Sequence, residues 1–154
     1  MVEVDLPTLP WESLLVPLYA ESAAAFESLT RDDRDDEMVW QAPEAWPNTF
    51  RRSWFIPAVE AVQSDRVRRM AMNAMAEVME KVDALALPPF AAGLLLITNA
   101  TGHPTLVLPT SEDGSTPSGG FTFIGRLFDE GTLIRLGRSV EQGLSPRTLR
   151  PPLG

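Results

Sequence analysis

The strongest pattern in the chain is a helix opened by Pro57 and running to Val82. Val59, Val62, Val67, Met70, Ala71, Ala74, Met75, Val78 and Val82 recur there at steps of three and four, which places them on one stripe. Such a stripe has to be buried on a second layer, so it commits the chain to a packed core. Met70, Met72, Met75 and Met79 suit an adaptable packing face better than a metal or cofactor box. Arg66, Arg68 and Arg69 lie around the stripe and read as an outer solvated face rather than a phosphate site.

Short apolar segments supply the second layer. Val2 to Leu6 alternates apolar and polar and reads as a strand with one buried face. Asp83 to Leu87 reads as another, ended by Pro88-Pro89. Thr105 to Pro109 is a continuous apolar run between prolines, which predicts a central strand buried on both faces. Ser111 to Gly120 is turn chemistry, with Asp113-Gly114 and Ser118-Gly119-Gly120, and Phe121 to Gly125 is the next strand. Helices are predicted over 11–29, kinked or split in two at Pro17, over 94–100, stopped near Gly102, and from an Asp129 cap to Gln142, with Gly143 just past the end. Gly131 and Gly137 inside the last helix cost about 1 kcal/mol each against Ala. The expected class is α/β: a mixed sheet flanked by helices.

Two segments hold residues that invite a chemical reading. Arg31 to Glu37 packs seven charges together, four of them Asp. Carboxylates suit hard cations, yet the run has no Gly turn and two interleaved Arg, so it reads as a solvated loop. Residues 38–55 carry Trp40, Trp46, Phe50, Trp54 and Phe55 and read as an irregular aromatic loop packed down on itself.

Composition narrows the chemistry further. The formal net charge of −8 argues against a phosphate-backbone partner. Cys is absent, which removes disulfides, thiolate zinc sites and thiol nucleophiles. The chain has one His, His103, and one Lys, Lys81, which leaves few general bases near neutral pH. No Gly-x-Ser-x-Gly elbow, phosphate loop or dinucleotide fingerprint is present. His103 at a Gly/Pro bend reads as structural, and Lys81 near a helix C-terminus as a surface charge. No leader or spanning segment is apparent, and a soluble cytoplasmic protein with no cofactor is expected.

The stretch from Asn99 to Gln142 resembles the C-terminal end of the amidase signature family. Asn99, Thr101, Gly102, His103 and Pro104, followed by an apolar strand ending at Pro109, are similar to a bend and strand of that family. The string from Phe123 to Glu130, then Thr132-Leu133 and Glu141-Gln142, resembles its final strand and helix. Val2 to Pro7, Phe55 to Glu60 and Asp65 to Arg69 resemble earlier parts. The resemblance implies residues 1–144 as a C-terminal part of the α/β/α amidase domain and 145–154 as an extended tail. It also implies that Asn99, Thr101, Gly102, His103 and Pro104 help wall a substrate region.

Family members cleave carboxamides with a Ser–cis-Ser–Lys triad in a Gly/Ser-rich segment upstream of the part resembled here. No such segment occurs in this chain, so no catalytic residue is carried over. The expected role is the C-terminal portion of an amidase-type hydrolase, inactive alone, with a catalytic N-terminal half or a second copy as partner and a small amide as substrate of the complete enzyme. A non-catalytic partner-binding module is the alternative from another class, and a fragment of a tRNA-dependent amidotransferase A subunit is the alternative within the family. A chain catalytic on its own, with His103 as base, is the third reading.

Overall fold

The computed structural model describes residues 1–6, 8–88, 92–109 and 120–143. The chain divides into two compact units, one of residues 7–72 and one of residues 1–6 and 73–154.

The first unit is helical. After a 3-10 turn at Trp11–Leu14, α1 runs Leu15–Ala25, α2 Glu27–Arg31, α3 Trp46–Ser53, and α4 begins at Ala58 on its way to Met79. Pro17 does not kink a helix, because it falls in the first turn of α1, where its missing N–H would have no partner. The break comes instead at Phe26, whose φ of −106° and ψ of 25° leave the helical region. The aromatic segment is not irregular: α3 starts within it, with Pro47 in the first turn. Phe50, buried, stacks on Phe26 and meets Trp46 at a tilt, at centroid distances of 5.3 and 5.6 Å. Arg31 covers the ring of Trp54 at 4.9 Å.

The acidic run is likewise not simply a solvated loop. Asp35 is 1% exposed, and Arg51 reaches back from α3 with Nε 2.5 Å from Asp35 and Nη2 2.8 Å from Asp36. The Asp35 contact is an ion pair rather than an aligned hydrogen bond. Asp35, followed by Asp36, holds the Arg51 guanidinium pKa above its ordinary range. Hydrophobic burial of Phe50 sets α3 down, and the pair fixes what crosses beside it.

The second unit is a sheet with helices. β1 is Ala84–Leu87, α5 Ala92–Thr101, β2 Thr105–Pro109, β3 Gly120–Gly125 and α6 Glu130–Gly143. The strand order is β1-β3-β2, and both pairings are antiparallel. The α/β class holds, and where a mixed sheet was expected the described strands form an antiparallel one. Residues 2–6 do not join it. Nor is β2 central: it lies at an edge, and Val107 on it is 59% exposed. Its apolar residues split between faces, because period-two geometry sends Leu106 and Leu108 one way and Val107 the other.

Register explains the core. Leu106 pairs with Phe123 and Leu108 with Phe121, so these residues share one face, onto which α6 lays Leu133, Leu136 and Val140. Close approach needs two glycines. A Cβ on Gly125 would stand 2.7 Å from Leu133 Cγ, and one on Gly137 2.5 Å from Leu106 Cδ2. The opposite face carries Leu85 and Ile124, both buried, and the other buried apolar residues of this unit are Met75, Val78 and Met79 of α4 and Ile97 of α5. The apolar stripe of α4 is therefore buried in part only. Ala71, Met75 and Val78 are buried, whereas Val59, Val62 and Met70 are exposed. Among the described residues no helix is long and apolar enough to cross a membrane.

Candidate functional site

Register places three connections at one end of the sheet. Ala84, which opens β1, pairs with Gly125, which closes β3, and Thr105, which opens β2, pairs with Ile124. The segments 80–83, 102–104 and 126–129 thus meet there, and the second contains most of the bend that the sequence singles out.

Each residue of the bend has a definite place. Asn99 is exposed on α5, and Thr101, buried, is the last residue of that helix. Gly102 ends it at φ +83°, with its N–H donating to the Thr98 carbonyl at 2.8 Å. That conformation suits glycine, since a side chain there would be strained. Pro104 accepts from the Gly125 N–H at 3.0 Å, which ties the bend to the end of β3. His103 is 7% exposed, and its Nδ1 lies 2.8 Å from Thr101 Oγ1. The Thr101 hydroxyl spends its one proton on the Ile97 carbonyl, at 2.8 Å. Toward His103 it can only accept, so Nδ1 carries the ring proton. Burial pushes the His103 pKa below its ordinary 6.5. The group that orients the imidazole is a hydroxyl, without the charge that an orienting carboxylate would lend to an imidazolium.

The third connection holds residues whose roles sequence reasoning missed. Arg126 donates from Nε to the Met79 carbonyl at 3.1 Å, and from Nη2 to the Val82 carbonyl at 3.0 Å and Asp83 Oδ1 at 2.9 Å. It therefore satisfies carbonyls at the C-terminal end of α4 with a cation, the favoured sign there. Leu127 sits against Gly102, 3.6 Å from where a Cβ would stand. Phe128 takes φ +62° and is 93% exposed. Asp129 does act at the start of α6, accepting from the Thr132 hydroxyl at 2.8 Å. Position after a strand was the available signal for Arg126, but only the fold shows the carbonyls it reaches.

Other candidates do not converge. Lys81 is exposed beyond the end of α4. Arg68 is paired with Glu21 at 3.2 Å and Asp65 at 2.8 Å, and Arg66 reaches Gln63 at 3.2 Å. Among the described residues no group of three or more His, Asp or Glu could hold a metal ion. Ser118, the Asp113-Gly114 turn and the tail 145–154 lie outside the described residues.

Comparison with solved structures shows which fold this is. One described as an amidase superposes with a TM-score of 0.75 and 19% identity, over 92% of this chain and 37% of that one. Two structures of a vestigial protein complex, described as revealing the evolutionary origins of an s-triazine catabolic enzyme, align at a TM-score of 0.67 and 16% identity, one of them with an inhibitor bound. They match over 91% of this chain and 35% of theirs. No family model matches the sequence, and no curated protein is significantly similar to it. The fold is thus amidase-like. The chain spans little more than a third of the structures it matches.

Proposed function

We propose that this chain is the C-terminal portion of an amidase-type hydrolase acting on carboxamide C–N bonds, and that it completes the fold and substrate wall of a catalytic half. The observation that carries the reading is the asymmetric match: nearly all of this chain corresponds to 37% of an amidase structure. Amide hydrolysis needs an activated nucleophile, a proton carrier and donors for the oxyanion. In this chain Lys81 is the single lysine, and no Gly/Ser-rich triad segment precedes or follows it. The bend at Asn99, Thr101, Gly102, His103 and Pro104 is then a wall: Gly102 and the Pro104 carbonyl hold its shape, and Asn99 is its open polar group.

A fluorophosphonate probe and a simple amide substrate test this directly. The purified chain should be neither labelled nor active, and both properties should arise when it is joined by a polypeptide bearing the Gly/Ser-rich segment. Labelling of a single Ser in the chain alone would overturn the reading. The apolar residues left exposed at Phe55, Val59 and Val62 favour a second reading, a non-catalytic module that binds a partner or a second copy. A stable, soluble monomer in light scattering would count against that one.

A further inference from the structure

We infer that Phe128 is the anchor by which the loop end of the sheet seats on the polypeptide that carries the catalytic residues; this rests on the reading proposed above. A phenylalanine at φ +62° is strained, because its Cβ crowds the backbone in the left-handed region. Such conformations persist only where the surroundings impose them. Here they do so from both sides. Arg126, two residues earlier, is fixed by three hydrogen bonds to residues 79–83, and Leu127 rests against Gly102. On the other side Asp129 is held at the start of α6, through Thr132. The turn is thus built rigidly around a ring that is 93% exposed and gives its own chain almost no burial.

A partner supplies what the chain does not. Aromatic residues, phenylalanine among them, are enriched at the cores of protein interfaces. Phe128 follows Leu127, which rests against Gly102, at the end of the sheet where the proposed substrate wall lies. The structures that share this fold have nearly two thirds of their length outside the matched region, so polypeptide is the occupant their fold offers.

Phe128→Asn and Phe128→Leu separate the possibilities, since Asn tolerates the left-handed conformation and Leu keeps an apolar side chain. The measurement is a titration of each purified variant with the polypeptide bearing the Gly/Ser-rich segment, alongside its melting temperature. Phe128→Asn should melt no lower than wild type and assemble about 10- to 30-fold more weakly, with Phe128→Leu between them. Wild-type assembly by Phe128→Asn would overturn the inference and leave the proposed function standing. A lower melting temperature would overturn it by making Phe128 a core residue, and unchanged assembly with a raised KM by making it a substrate contact. If the wild-type chain does not assemble, the proposed function falls and the inference with it.

Discussion

His103 shows how one buried side chain ties stability to pH. Burial holds its pKa below 6.5, so the unfolded chain binds a proton that the folded chain refuses. The contribution is complete above 6.5 and is lost as pH falls below it, until the folded value is passed. Urea unfolding at about pH 7.5 and about pH 5.5 should show a lower midpoint at the acidic value, and His103→Gln should flatten that difference. Gly125 makes a second prediction at this scale. Its missing Cβ leaves room for Leu133, which is buried, and the nearest atom is the branched Cγ rather than a free methyl. Gly125→Ala should cost about 1–3 kcal/mol in a denaturant titration. Gly131 meets only the end of Arg135 at 3.7 Å, so Gly131→Ala should stabilise by up to about 1 kcal/mol in the same assay.

Along α4, two substitutions separate the buried part of the stripe from the rest. Met75 is fully buried, and Met75→Asp should abolish the cooperative melt, because a lone charge would enter the core. Val62 is exposed, and Val62→Asp should change stability by less than about 0.5 kcal/mol. The contrast marks what the sequence could and could not disclose. Apolar patterning and its Gly/Pro boundaries located α4, α5, α6 and three of the strands, since a covered face leaves its mark on the residues. It could not say how far along α4 the cover extends, because Val62 and Met75 share one pattern. It misplaced β2, where an unbroken apolar run conceals that alternate residues have different neighbours. It missed α3, although Trp46, Phe50 and Trp54 recur at steps of four. The bend was legible from its Gly and Pro, whereas the Thr101–His103 bond and the Arg126 clamp join atoms that no spacing rule brings together.

Over the whole molecule, charge and the partial match to larger structures set the expectations. A net charge of −8 repels the phosphate backbone, so a labelled DNA duplex at physiological salt should show no binding. The described sheet is three-stranded and antiparallel, and the fold superposes on 37% of an amidase structure. Activity, on the reading proposed above, belongs to an assembly rather than to this polypeptide.

The notch at Gly137 has a consequence for how such a chain can diverge. Leu106 Cδ2 occupies the space that a Cβ on residue 137 would need, 2.5 Å from it, so a side chain at 137 requires that methyl to turn aside or be absent. A larger residue at 137 is accommodated more easily beside a smaller one at 106. Substitution histories at the two sites should therefore be correlated among relatives, with glycine opposite a long side chain and alanine or serine opposite a short one. In the laboratory the same linkage is a double-mutant cycle: Gly137→Ala should be tolerated better beside Leu106→Ala than in the wild-type background.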